Sequence, residues 1–510
     1  MSGTLTQAPV RSTSHRAGAP TAPGDHFIHI PRAAHGTTPN VLRAAAAAIG
    51  AVALIGAVVM TGAAADAQSA MGRVATTDAP SVRATEDFVY QLQDMDAQLL
   101  NALLVNGDTA VHVPRGVSMD RYDRDRRAAD GDLEAATAAL AGDKTALDQL
   151  HQVSDTFGRY QAQAARSLVD DERDGGTVAG RAPGTVVADY LAGHAILFGG
   201  DGKGGLMSAA GTVEQAGAAA IGDSASAAEK TLSGVAAGFA LAGVTLFAGL
   251  AALQVYTYRR FRRLVNPALV AATVVTLVFA VGGGMASADA YHDFHSAKSD
   301  AYDSVLALSR AKALSSGANA DESRWLLVHE QPGRQAEFEA SFLAGSQGVA
   351  GVAARTVADY EYMIHSEAGS LNTETLTASS LDRTSGFGRE FQNITYPGEG
   401  ALALDAFNAY DAYLQDDAGL RALPLTDAEH LRAAVDFDTD VDTPFTSDPA
   451  FTVYSSDLYR VIYLNQAQFD RLIPAARDGI GTWTWLPYPL ALLVIVLTAL
   501  GVRGRLSESR

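Results

Sequence analysis

Hydrophobic and polar positions follow two different patterns along this chain. In residues 44–65, 234–256, 267–288 and 485–502 no charged side chain interrupts the apolar run. About 20 apolar residues at 1.5 Å each cover the ~30 Å hydrocarbon core of a bilayer, so each stretch predicts a transmembrane helix. Elsewhere apolar residues recur every three or four positions. Val89, Leu92, Met95, Leu99 and Leu103 form one such stripe, which predicts a helix leaving the first span with one buried face. Leu458, Ile462, Asn465, Phe469 and Leu472 form another, the seam of a helical bundle in which Asn465 either fixes register or lies at a solvated edge.

Breaks in these patterns mark the remaining elements. Asn106-Gly107-Asp108 and Pro114 end the first stripe. Gly175-Gly176, Pro183 and the glycines from 199 to 205 separate helices expected over 122–141, over 144–170, and from Leu206 into the second span. After the third span the plan repeats. A helix passes Tyr302, Leu306 and Leu308, a turn is expected near Gly317, helices follow around 322–329 and 335–367, and Asn393 to Pro449 reads as irregular because of Pro397, Pro424 and Pro444. The expected fold class is an all-α membrane protein with four transmembrane helices. Two helical modules, residues 66–233 and 289–484, resemble four-helix-bundle sensors, the second with irregular loops. The order span, module, span occurs twice and suggests duplication by layout, without a close sequence repeat.

Charge assigns sides to these segments. The 57 acidic residues outnumber the 38 basic ones, giving a net charge of −19, the wrong sign for a nucleic-acid binder. The basic residues cluster. Residues 1–43 carry Arg11, Arg16, Arg32 and Arg43 against Asp25, residues 257–266 carry Arg259, Arg260, Arg262 and Arg263 with no acid, and residues 503–510 carry Arg503, Arg505 and Arg510 against Glu508. The two long segments therefore hold a net charge of −28. The positive-inside rule places the tail 1–43, the hairpin 257–266 and the tail 503–510 in the cytoplasm, with both modules outside a plasma membrane. Trp483, Trp485 and Tyr488 suit the interface before the last span. Ala65-Asp66-Ala67 resembles a signal-peptidase site, but the apolar run before it exceeds the usual 7 to 15 residues of a signal core, so an uncleaved anchor is expected. The first 40 residues, rich in Ser, Thr, Pro, Gly and Ala, read as a disordered tail.

Candidate chemistry is sparse. The chain has no Cys, which removes disulfides, thiolate metal sites and Cys nucleophiles. Gly199 to Gly204 lacks the Ser or Thr after Lys203 that a phosphate loop requires. Asp436, Asp438, Asp440 and Asp442 alternate, but an EF-hand would need Gly and Glu where Val441 and Ser447 stand. A solvated acidic loop is the main reading there, and calcium the minor one. His292 and His295 share a helix face without a third ligand, and no Gly-x-Ser-x-Gly elbow frames a nucleophile. No catalytic, cofactor or metal residue is assigned, and an enzyme is not expected. Two candidate sites stand out: Arg259, Arg260, Phe261, Arg262 and Arg263 as a contact for anionic lipid or a cytoplasmic partner, and Gly282-Gly283-Gly284 as a hinge or a place of close helix packing.

The 33 Arg against 5 Lys and the abundant Ala fit a GC-rich actinobacterial source. The layout from about residue 40 to 505, the basic hairpin and the segment Ser316-Gly317-Ala318-Asn319-Ala320-Asp321-Glu322-Ser323-Arg324-Trp325-Leu326-Leu327 resemble the actinobacterial GlnX family of membrane proteins. That resemblance implies a link between an extracellular amino-acid-binding lipoprotein and a soluble cytoplasmic Ser/Thr kinase. The expected function is a multi-pass signal transducer. The alternative is a transport-associated or cell-envelope scaffold subunit; a permease is disfavoured because the spans lack ionisable residues. A homo-oligomer stays open.

Overall fold

The computed structural model describes residues 38–174, 176–200, 203–261, 266–440, 443 and 446–508. Arg262 and Arg263, most of the N-terminal tail, Gly175, Asp201, Gly202, Asp442, Pro444 and Arg510 lie outside the described residues. Four long helices dominate: α1 (Pro39–Val105, 67 residues), α5 (Leu206–Arg260, 55), α6 (Pro267–Leu327, 61) and α12 (Ser447–Gly504, 58), each long and apolar enough to cross a membrane. At 1.5 Å per residue such helices are about 80 to 100 Å long, so each extends far beyond any bilayer. Between them lie α2 (Arg115–Ala139), α3 (Lys144–Asp174), α4 (Gly184–Phe198), α7 (Pro332–Ala350), α8 (Val357–Ser370), α9 (Gly386–Gln392), α10 (Glu399–Arg421) and α11 (Ala428–Thr439). The only strands among the described residues are two antiparallel pairs of residues, Gly199–Gly200 with Lys203–Gly204. The protein is all-α.

Several expected boundaries move, each for a local reason. No turn forms near Gly317. The helix runs through it because a Cβ there would meet the Gln93 amide 2.1 Å away, so this glycine serves close helix contact. The helix expected over 335–367 is two helices, broken at Gly351, whose φ of +64° is the left-handed cap that glycine adopts without strain. Most of the stretch from Asn393 to Pro449 is helical, in α10 and α11, because Pro397 and Pro424 fall between helices and Pro449 falls in the first turn of α12, where its missing N–H costs no helical bond. The irregular chain lies earlier, around 371–385. Asp436 and Asp438 belong to α11 and not to a solvated loop, and Asp438 and Asp440 are buried because the helix packs against α6 and α12. Helix starts are capped as side-chain chemistry dictates, with Thr356, Ser385 and Asp427 accepting from free N–H groups of α8, α9 and α11.

Packing divides the molecule along its length. In the spans, Ile49, Ala53, Ala57, Leu246, Leu250, Ala272, Ala491 and Val494 face inward. Leu54, Val58, Leu241, Val244, Val274, Leu277, Leu492 and Val496 are exposed on the outside, an apolar jacket suited to lipid and not to water. Small residues let these helices approach, as where Gly243 meets Ala280. Beyond the spans α1 packs on α2 and α5, while α6 packs on α7 and α10 packs on α12. The first module has a core of Phe88, Leu99, Phe157, Tyr160 and Tyr190. The second is built on aromatic rings, including Tyr360, Phe387, Phe407, Tyr410 and Tyr454. The modules are fused, because the core of the first also includes Ala320, Leu326, Leu420 and Val435 of the second.

Two short π-helical segments interrupt the long helices, Val74–Asp78 in α1 and Ala297–Tyr302 in α6. Each begins nine residues beyond the end of its apolar span, at 65 and at 288. A π-bulge inserts one residue without breaking the helix. Matching bulges at matching positions support the duplicated layout read from the chain.

Candidate functional site

The outer halves of α1 and α6 lie side by side, and their contact contains a buried polar hub. Arg324 on α6 is 1% exposed. Its guanidinium donates to Asp96 on α1 at 2.7 Å, to Asp321 one turn back, and from Nε to the Tyr190 hydroxyl on α4 at 2.9 Å. Asp96 also accepts from Tyr160 at 2.7 Å and Tyr190 at 2.8 Å. The Phe198 ring lies 4.9 Å from the guanidinium carbon. Burial holds the adjacent His194 down to about 4, with the Arg324 charge adding to the effect, so this imidazole is neutral at physiological pH. Three donors on Asp96 and four acceptors around Arg324, the Gly317 carbonyl included, are what a buried ion pair needs to offset its lost hydration.

The same helix turn connects to the rest of the second module. Ser323 donates to Asp438 on α11 at 2.8 Å, and its hydroxyl lies 3.1 Å from the Asn101 side-chain amide on α1. Glu322 accepts from Tyr413 and from Ser447, joining α6 to α10 and α12. Burial pushes Glu322 well above the usual carboxylate range, helped by Asp417 and Asp438. Burial likewise raises Asp438 to about 7. Further ion pairs join the modules at their edges: Arg432 with Asp108 at 2.8 Å and Arg121 with Asp448 at 3.5 Å.

A cleft of about 650 Å³ opens on the second module, between α6, the end of α7 and the start of α9. Ala307, Ala311 and Leu314 are among its lining, with Arg310 and Arg389 as its cationic groups and Asp303 and Asp382 as its carboxylates. Glycines let its walls close up: a Cβ on Gly386 would lie 2.4 Å from Ala311 and one on Gly348 2.6 Å from Leu314. Asp303 accepts from Lys298, inside the π segment, at 3.0 Å and from Arg389 at 3.0 Å. Asp382 is engaged by the Thr384 hydroxyl and amide at 2.8 Å.

The residues singled out in the sequence fall elsewhere. Arg259 and Arg260 end α5 with exposed side chains, and Arg262 and Arg263 lie outside the described residues. For Phe261 only the backbone is described, as the last helical residue. Gly282, Gly283 and Gly284 lie in uninterrupted helix. A Cβ on Gly283 would sit 2.5 Å from the Phe239 ring and one on Gly282 3.1 Å from Trp483, whereas Gly284 faces open space. Phe239, Phe279 and Trp483 cluster with centroids 5.0 to 6.4 Å apart, so Trp483 points into the bundle while Trp485 and Tyr488 are exposed. His295 pairs with Glu229 on α5 at 2.9 Å. Among the described residues no group of three or more His, Asp or Glu side chains is placed to hold a metal ion.

Sequence reasoning missed both the hub and the cleft. One signal pointed to the first: Asp321-Glu322-Ser323-Arg324 covers every face of a helix that is otherwise small and apolar on either side, which requires polar partners all round. The family model for the actinobacterial sensor domain matches residues 70–193. That match begins just before the first π segment and ends in α4, taking in Asp96, Tyr160 and Tyr190 of the hub. No curated protein and no solved structure matches the chain.

Proposed function

We propose that this protein is a multi-pass sensor of an actinobacterial plasma membrane, with both modules outside and the termini and basic hairpin in the cytoplasm. It acts as a signal transducer and not as an enzyme. Its output is a cytoplasmic partner such as a Ser/Thr kinase, docked on the hairpin around Arg259 and Arg260, and a solute-binding lipoprotein presents the stimulus outside, as the GlnX resemblance implies. The sensor-domain match over residues 70–193 supports the sensing role, and the segregation of arginines supports the orientation.

The observation that carries the reading is mechanical. Four helices of 55 to 67 residues run unbroken, or nearly so, from the fused modules through the apolar spans, and α5 and α6 flank the basic hairpin. Packed helices of this kind move between discrete arrangements, so a change at the hub reaches the spans as a shift or rotation. Crosslinking tests this directly. Gly56 and Ala242 face each other across α1 and α5, at 3.6 Å from the Cβ that Gly56 lacks. With Gly56→Cys and Ala242→Cys in native membranes, the oxidation rate is expected to change when Asp96→Asn alters the hub. An unchanged rate would leave a static scaffold as the better account. Pull-down from membranes should recover the kinase with wild-type protein and lose it with Arg259→Gln and Arg260→Gln.

A further inference from the structure

We propose that the cleft between α6, α7 and α9 is a binding site for a small solute with one carboxylate on an apolar body. Arg310 and Arg389 take the carboxylate, and Ala307, Ala311 and Leu314 take the body. This rests on the reading of the modules as a sensor, and it names what one of them senses.

Size comes first. A cavity of about 650 Å³ lies within the ~300–1,000 Å³ typical of small-molecule sites. Its lining is mixed, with an apolar floor on α6 and a few converging polar groups, the composition such sites share. Charge then selects the ligand. Arg389 on the α9 wall is held by Asp303, whereas Arg310, exposed on the α6 wall, has no hydrogen bond or ion pair among the described residues. Its guanidinium presents a planar fork that matches a carboxylate with two parallel hydrogen bonds. Asp303 and Asp382 bring the cleft to overall neutrality, so a dianion such as phosphate meets two carboxylates while a monoanion gains the arginines at less repulsion.

Arg310 has a second electrostatic role. It acts at longer range on Glu86 of α1 and Glu214 of α5, two carboxylates that burial drives upward. One Glu86 oxygen is buried without a hydrogen-bond partner. A carboxylate in the cleft therefore competes with Glu86 and Glu214 for one arginine. Its effect on Arg389 passes through Asp303 to Lys298 inside the π segment. Occupancy is thus felt on α1, α5 and α6, the three long helices that meet there.

The test uses the full-length protein in detergent and three probes: 4-methylpentanoate, its uncharged amide 4-methylpentanamide, and inorganic phosphate. Calorimetry is expected to show saturable binding of 4-methylpentanoate, with the amide weaker by about tenfold or more, since a hydrogen bond to a charged group is worth roughly one such factor or above. Arg310→Gln should lower the carboxylate affinity to that of the amide, and Arg310→Lys should restore part of it, with a wild-type melting temperature of each variant showing that the change is at the site and not in folding. Absence of saturable carboxylate binding, equal binding by Arg310→Gln, or phosphate binding tighter than 4-methylpentanoate would each overturn the assignment. The Gly56→Cys and Ala242→Cys crosslink separates this site from the sensor role. Binding without any change in crosslinking keeps the site and removes the transducer.

Discussion

Arg324 occupies the position where an error costs most. A charge without partners in this interior would forfeit several kcal/mol of hydration, and the Asp96, Asp321 and Tyr190 contacts offset that loss. Arg324→Met is therefore expected to destabilise the protein by about 3 to 5 kcal/mol, because it strands Asp96 and Asp321. Chemical unfolding of the detergent-solubilised protein measures the loss, and adding Asp96→Leu should recover part of it. Protonation acts on the same interior. Burial raises Asp125, Glu361 and Asp438 to about 7 and Glu390 to about 8, above the ~4 of the same groups in an unfolded chain. A raised acid stabilises the fold fully below its unfolded value and loses that contribution as pH rises through the folded one. The melting temperature should accordingly be higher at pH 5.5 than at pH 8.0, and Asp438→Asn should narrow the gap. A flat profile in the wild type would contradict this assignment. None of these values was legible in the sequence, since a carboxylate's titration depends on what surrounds it and Asp438 meets Ser323 from 115 positions away.

At the scale of elements, periodicity found the helices and fixed the buried face to within a residue: Leu458, Asn465 and Phe469 are buried, but Val461 and Ile473 take the core positions read for Ile462 and Leu472. Val89, Leu92, Met95, Leu99 and Leu103 are all buried, as their spacing requires. Reading glycine and proline as punctuation placed the breaks at Asn106-Gly107, Pro114 and Pro183 correctly but failed at Gly317. Gly317 lies inside α6 because its missing side chain admits Gln93, and a turn-forming glycine and a packing glycine look the same in one dimension. The Gly282–Gly284 run carries both possibilities and gives a clean experiment. Gly283→Ala puts a methyl 2.5 Å from Phe239 and should destabilise by about 1 to 3 kcal/mol, the usual cost of overpacking. Gly284→Ala, with no atom within 4 Å, should be neutral or slightly stabilising. If both substitutions lower the thermal midpoint equally, close packing is not what distinguishes these glycines. The π segments were illegible for a related reason. A bulge depends on the register of a helix against its neighbours, and neither VATTD nor AKSDAY carries a residue type that demands one.

For the whole molecule, the proposed orientation makes its own prediction. The natural chain lacks Cys, so single introduced thiols report without background. Thr145→Cys and Tyr258→Cys, both at exposed positions, should behave oppositely in intact cells: a membrane-impermeant maleimide labels the first at once and the second only after permeabilisation. Labelling of both, or of Tyr258→Cys alone, would reverse or abolish the assigned sides. The number of spans and the excess of arginine beside them are properties of short stretches of chain. Lipid and water read them locally, without reference to any partner segment, and so the sequence by itself determined them. The joining of the two modules was decided only in three dimensions. Arg324 and Asp96 are 228 positions apart, and a shared core closes over both modules; within the second module the cleft likewise gathers residues from Asp303 to Arg389. Such contacts depend on which faces of separate helices meet, and one-dimensional spacing records the face but not its neighbour.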